Sequence, residues 1–193
     1  MKLLNLLSVL FLTASSALAQ IISPIFYPPD GTYYIYNVQY KRVFDDYDFN
    51  IIEGNPIIGW PTHLPGHPAI PSPSNQQWVI KTVDNSTDHK VTIRSLETIQ
   101  QKPSAGGYAI NNDGKIVTSK TTQPWTLQPV PNACAQFMIA DCNIAIILDS
   151  GQTNNALNAQ LKAEVIHKNA TNQHWVFVPV DQITEFLAEN GSG

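Results

Sequence analysis

Little in this chain is arranged for covalent chemistry. Asp149-Ser150-Gly151 has the letters of a serine-nucleophile loop, but the flanking glycines are absent, no Gly-x-Ser-x-Gly elbow occurs, and no His and Asp are marked as partners. His63 and His67 stand four apart, as two zinc ligands on a helix would, yet Pro65 and Gly66 between them forbid that helix. His174 alternates with Trp175 and is expected to face solvent. With no metal set, no cofactor motif and no catalytic pair, the chain reads as a non-enzyme. What it holds instead are the groups of reversible recognition: carboxylates that accept, amides that donate and accept, and rings with flat apolar faces.

The elements that must position those groups repeat along the chain. Trp78, Trp125 and Trp175 are separated by 47 and 50 residues, and each has a glutamine two positions earlier: Gln76, Gln123 and Gln173. Beyond each tryptophan lie an apolar residue at the second position (Ile80, Leu127, Phe177) and a valine at the fifth (Val83, Val130, Val180). Four aligned columns in three copies define a threefold internal repeat. Short alternating, β-rich runs fill each copy. They are 31–39, 41–45, 56–61 and 77–83 in the first; 90–96, 107–111, 115–120 and 124–130 in the second; 136–140, 143–149, 163–168 and 174–180 in the third. Asn112-Asp113-Gly114 is a tight hairpin signal. No segment before the tail has sustained helical periodicity, and the tail holds one expected helical turn at Thr184 to Ala188.

With the three Gln-x-Trp motifs in place, the chain resembles the ricin B-chain-like lectins, whose β-trefoil domains carry that motif in each of three repeats. The resemblance runs from Gly31 to Val180 and is strongest at Gly54-Asn-Pro-Ile-Ile-Gly-Trp60-Pro61, followed by Asn75-Gln76-Gln-Trp78. Secreted fungal trefoil lectins are closest in style. The resemblance implies an all-β fold: a β-trefoil of twelve short strands over 31–180, with 20–30 an N-terminal extension and 181–193 a C-terminal tail. It also implies that Trp78, Trp125 and Trp175 fill one core around a pseudo-threefold axis rather than stack on ligand. Each buried indole N–H must then find a partner, since leaving it unpaired costs about 1–3 kcal/mol. The paired glutamines brace the neighbouring loop.

The function implied is non-catalytic binding of extracellular glycans, galactose-type sugars foremost. A sugar offers hydroxyls on its rim and C–H groups on one face, so its site needs a carboxylate, an aromatic plate and an amide. The family's pattern places an Asp after the second strand, an aromatic about fifteen residues on, and Asn-Gln just before the Trp. The first copy has each part: Asp45, Trp60 fifteen residues later, and Asn75-Gln76. By resemblance Asp45 accepts sugar hydroxyls, Trp60 stacks on the sugar face, Asn75 bonds the rim and Gln76 orients Asp45; Asp46 is a possible substitute for Asp45. The alternative makes Asp45 a solvated turn residue and packs Trp60 under the following loop. The third copy is partial, with Asp149, Asn172 and Gln173 but Glu164 at the aromatic position and His167 as the nearest ring. The second, with Asn111 at the carboxylate position, no aromatic and Thr122 for the Asn, is degenerate.

Composition fits that class. Met1 to Ala19 reads as a signal peptide, with Lys2, an apolar run from Leu3 to Leu12 and a small-x-small end at Ala17-Leu18-Ala19. Without it the chain has 10 basic and 15 acidic side chains, a charge of −5 that offers no footprint for nucleic acid or anionic lipid. No stretch approaches the roughly 20 apolar residues of a membrane span. In the oxidising compartment a leader implies, Cys134 and Cys142 are expected to pair, with two free buried thiols the alternative. Sequons for N-glycosylation begin at Asn85, Asn169 and Asn190. A second function stays open. Pro61 to Ser74 holds five prolines in fourteen residues, and a stiff loop of that kind, with Leu64 as primary-site residue, would suit an inhibitor of a secreted protease.

Overall fold

The computed structural model describes residues 25–64, 66, 73–83, 88–149 and 159–191. The leader, the Asn85 sequon, Ser150-Gly151 and half of the proline-rich loop lie outside them. Three quartets of strands follow one another: β1 (Gly31–Asn37), β2 (Val43–Asp46), β3 (Ile57–Trp60) and β4 (Trp78–Thr82); β5 (Lys90–Ser95), β6 (Tyr108–Asn112), β7 (Lys115–Ser119) and β8 (Trp125–Pro129); β9 (Gln136–Asp141), β10 (Ile144–Ile147), β11 (Lys162–Val165) and β12 (Trp175–Pro179).

Their pairing is threefold. The first and last strands of each quartet close a six-stranded ring, β1–β4–β5–β8–β9–β12, in which every neighbour is antiparallel. The middle strands form three hairpins, β2–β3, β6–β7 and β10–β11. Bridges Pro56↔Val117, Ile58↔Gln160 and Lys115↔Lys162 tie the hairpins to one another. This is the β-trefoil, and closing the barrel leaves no ring strand with an unpaired edge.

The alternating pattern of each strand feeds one core. Tyr33 pairs with Trp78, Val91 with Trp125 and Phe137 with Trp175, so the three tryptophans occupy equivalent stations. All three are fully buried. Their indole N–H groups donate to the carbonyls of Phe44 at 3.1 Å, Ala109 at 2.8 Å and Ile146 at 2.9 Å. The residues at that carbonyl station differ in size, and the packing adjusts around them. Phe44 sits edge-on to both Trp78 and Trp175, at 5.9 and 4.7 Å between ring centroids, where the second repeat has only Ala109. Gly59, opposite Phe44, is required for a similar reason: a Cβ there would lie 2.6 Å from Leu148.

Two helices depart from the all-strand reading. After β5 the chain turns into α1 (Leu96–Gln101), where the Ser95 side chain accepts from Thr98 N and caps the first turn. At the end, α2 (Ile183–Asn190) runs two turns rather than one. Ile183 and Leu187 pack with Tyr34, Tyr36, Val43 and Val178 outside the barrel, burial that supports a helix too short to persist alone.

The expected disulfide is not formed: Cys134 and Cys142 are both free and exposed. They flank opposite ends of β9, and six extended residues at about 3.3 Å each hold them roughly 20 Å apart, whereas a disulfide needs Cα atoms within about 7 Å. His174 is also corrected. It is buried, and its Nε2 lies 3.0 Å from the Lys168 carbonyl. It precedes Trp175 on a strand packed on both faces, so alternation does not expose it. Asn169 and Asn190 are exposed.

Candidate functional site

The first repeat brings three of its four expected residues into one bonded cluster. Asp45 lies on β2, and its two carboxylate oxygens face the turn Ser74–Gln76 that precedes β4. Asn75 Nδ2 donates to Oδ1 at 3.0 Å and Gln76 Nε2 to Oδ2 at 2.8 Å. Gln76 also donates to Pro61 O at 2.9 Å and accepts from His63 N at 2.7 Å, so one amide fixes both the carboxylate and the chain leaving β3. Trp60 ends β3 across from Val43, two residues from Asp45 on the same face of the hairpin, and is partly exposed.

Asp45 is not the solvated turn residue that a surface loop would give. It is 3% exposed and Asn75 2%, so carboxylate and amide converge on each other rather than on open solvent. Burial pushes the Asp45 carboxyl up to about 7, against the opposing hydrogen bond from Gln76 and with the charge of Asp46 adding to the rise. Asp46 is itself fully buried, accepts from Asn55 Nδ2 at 2.7 Å, and is raised by burial to about 6. Behind them Glu97 of α1, also buried, accepts from Ser74 and from Gln101. The turn Ser74–Gln76 thus touches two carboxylates at once, Glu97 through Ser74 and Asp45 through the two amides. The repeat pattern does not point to Glu97; the available signal is Ser95 as a helix cap with an acid in the turn behind it.

Two side-chain oxygens in this cluster are unsatisfied, Asp46 Oδ2 and Asn75 Oδ1. Asn75 Oδ1 is buried and has no hydrogen-bond partner among the described residues. A buried acceptor left so costs about 1–3 kcal/mol, and a donated hydroxyl would recover it. Each Asp45 oxygen, holding one donor, likewise keeps a lone pair.

The other repeats lack this arrangement once they are aligned through the indole hydrogen bonds. Phe44, Ala109 and Ile146 are equivalent, so the station of Asp45 is filled by Ile110 and Ile147. Asn111 and Asp149 lie one and two residues beyond it. The station of Trp60 is Ser119 in the second repeat and Glu164 in the third, read from their pairing with Tyr108 and Ala145. Asp149 is exposed and pairs with Lys162 at 2.7 Å. His167 is exposed; its backbone N–H donates to Gln173 Oε1 at 2.8 Å and its carbonyl accepts from Ala170 N at 2.8 Å. Gln173 also donates to Val165 O at 2.8 Å, repeating the brace made by Gln76, while the Asn172 carbonyl accepts from Asn37 and from Leu148 N. The brace survives in the third repeat; the carboxylate and the plate do not.

An open cavity of about 500 Å³ lies away from these stations, between Tyr27, His89, Leu127 and Asp141. The Tyr27 and His89 rings stack at 3.5 Å and cover each other's faces. Of the stiff loop's expected contact residues, Leu64 is described and is 39% exposed. Among the described residues no group of three or more His, Cys, Asp or Glu could hold a metal, and no helix is long and apolar enough to cross a membrane.

No family model matches the chain, and no curated protein matches it. Solved structures do. The Rhizoctonia solani agglutinin is 23% identical with a TM-score of 0.60, over 81% of this chain and 99% of that one. The ricin B-like lectin of Macrolepiota procera, solved with lactose, is 22% identical with a TM-score of 0.57, over 80% and 99%. The C-half of an earthworm R-type lectin, solved with GalNAc, is 19% identical with a TM-score of 0.53, over 78% and 98%. Identities this low establish a shared fold, that of the ricin B-like lectins.

Proposed function

We propose that this chain is a secreted, non-catalytic carbohydrate-binding protein whose sugar site lies in the first repeat. The observation that carries the reading is the Asp45–Asn75–Gln76 hydrogen-bonded cluster with the partly exposed Trp60 on the same face of the hairpin, in the one repeat that keeps all four residues. In this reading sugar hydroxyls donate to Asp45, Asn75 bonds the rim, and Trp60 takes the apolar face of the ring. Gln76 holds the carboxylate in place. Galactose-type sugars are the preferred class, in keeping with the lactose and GalNAc bound by two of the structural neighbours. The leader and the sequons support export, and the acidic, charge-poor surface supports a neutral ligand. A single site with a few hydrogen bonds and one stacked ring gives a dissociation constant on the order of 0.1–10 mM for a monosaccharide.

A glycan array probed with the protein expressed through its own leader tests this. Binding to galactose-terminated glycans that is lost in Asn75→Ala is the expected result. A blank array, together with inhibition of trypsin or subtilisin by the same preparation, would overturn it in favour of the inhibitor.

A further inference from the structure

The β2–β3 connection, Tyr47 to Pro56, is held more firmly than a surface loop needs to be, and it shows its largest apolar side chains to solvent. Tyr47 N donates to Pro56 O, Asn55 Nδ2 to Tyr47 O, Gly54 N to Thr118 O and Thr118 N to Asn55 O, while Glu53 accepts from Ser119 Oγ and Lys120 N. Asp48 and Phe49 hold φ of 56° and 54°, the left-handed region that a bulky side chain rarely adopts. Strain of this kind persists only where surrounding bonds over-determine the backbone. Yet Tyr47 is 36% exposed, Phe49 38% and Ile52 60%. A loop folded only for stability would turn those rings inward.

The position of the loop says what the rings could meet. Val43, Asp45 and Tyr47 alternate onto one face of the hairpin, with Trp60 beside Val43 and Pro56 beside Tyr47. The turn carrying Tyr47 and Phe49 also lies against the Ser74–Gln76 turn. Asp45 and Asn75 therefore stand between two aromatic flanks, Trp60 on one side and Tyr47 with Phe49 on the other. From the level of Trp60 to that of Tyr47 is about 13 Å along the strand, longer than one sugar ring.

We infer that Tyr47 and Phe49 form a second sugar subsite continuous with the first, so that the ligand is an oligosaccharide rather than a monosaccharide. The inference rests on the carbohydrate-binding reading above. A terminal ring occupies the Asp45–Asn75–Trp60 station, and the next ring lays its C–H face on Tyr47 or Phe49, the loop being rigid enough to order neither on binding.

Calorimetric titration of the full glycosylated protein with galactose and with lactose tests it. The expected result is that lactose binds at least about fivefold more tightly, and that Tyr47→Ala removes this advantage while galactose affinity stays within about twofold. Phe49→Gly reduces the same advantage and keeps the fold, because glycine accepts a φ of 54° without strain. Equal binding of the two sugars, an advantage that survives both substitutions, or a loss of galactose binding along with it overturns the inference. If the unsubstituted protein binds neither sugar, it is the carbohydrate-binding reading itself that falls.

Discussion

The first and second repeats have the same skeleton and carry different residues at its equivalent stations. Both bury a tryptophan against the carbonyl of the strand beneath, and both brace the preceding glutamine against the chain. In the first, the residue after that carbonyl is Asp45, the hairpin ends in Trp60, and ten residues connect its strands. In the second, Ile110 and Ser119 stand at those stations, and the connection is the two-residue turn Asp113-Gly114, with φ of 49° and 82°. Ser119 is not idle there, since with Thr118 and Lys120 it anchors the long loop of the first repeat. The second repeat is thus a support for the long loop of the first, and divergence in a threefold protein need not be decay.

The comparison breaks hardest at the core station where the two repeats differ in size. Phe44→Ala copies the second repeat into the first, but there the ring packs edge-on to two tryptophans, and its loss should cost about 3–5 kcal/mol of unfolding free energy in denaturant titrations. A cost under about 1 kcal/mol would mean that the two stations are interchangeable.

Next in size is the response to pH. Asp45 and Asp46 titrate in the folded protein at about 7 and about 6, against 3.8 as the reference for the unfolded chain. Between those values the native state keeps protons the unfolded chain has released, so their stabilising effect is complete below 3.8 and disappears as pH rises through 6 to 7. From pH 5 to pH 8 the protein should lose about 2–4 kcal/mol, seen as a falling Tm. The double variant Asp45→Asn, Asp46→Asn should flatten the slope, because the second repeat's Ile110 and Asn111 have nothing there to titrate. A Tm that rises over the same range contradicts the burial of these carboxylates.

Asn75→Thr transplants the residue found in the second repeat, Thr122, and sharpens the contrast at the site. It removes the unsatisfied acceptor and one donor to Asp45. Sugar affinity should fall at least about tenfold while stability changes by no more than about 1 kcal/mol, measured by titration and by thermal melting. A smaller but clear result concerns the thiols. Cys134 and Cys142 are free and exposed, so both should react with a thiol reagent in the native protein, and reduction should leave the Tm unchanged.

The sequence carries the fold because a closed, threefold core repeats its constraints. Three tryptophans, each with its glutamine and its flanking apolar columns, cannot be satisfied without twelve strands around one axis. The candidate site is legible only as residue types. The motif marks Asp45, Asn75 and Gln76 as neighbours, and they are, but their burial depends on Ser74, Glu97 and α1. Glu97 and α1 come from the next repeat and leave no periodic trace. The misreadings share a cause. Counting from the apolar run Ile146-Ile147-Leu148 puts Asp149 at the carboxylate position, whereas the carbonyl that meets Trp175 fixes the register two residues earlier. Spacing along the chain suggests that Cys134 and Cys142 can meet, and an extended strand between them turns a short spacing into a long distance.

The smallest expected effect tests that register directly. If Asp149 were the third repeat's counterpart of Asp45, it would lie buried against Gln173, and Asp149→Ala would leave that amide unpaired. Instead Gln173 donates to Val165 O and accepts from His167 N, and Asp149 is half exposed with Lys162 as its partner. An exposed pair of this kind is worth about 0–1 kcal/mol and is screened by salt. Asp149→Ala should therefore shift stability by less than about 1 kcal/mol, with the difference shrinking as salt is raised, and should leave sugar affinity and the number of sites in a titration unchanged. A drop in stoichiometry would restore Asp149 as a ligand. It would also require β10 to slip by two residues against β11, undoing the Ile146↔Ala163 register and the Trp175–Ile146 hydrogen bond together. The core cannot tolerate that slip, so the third repeat is expected to stay silent.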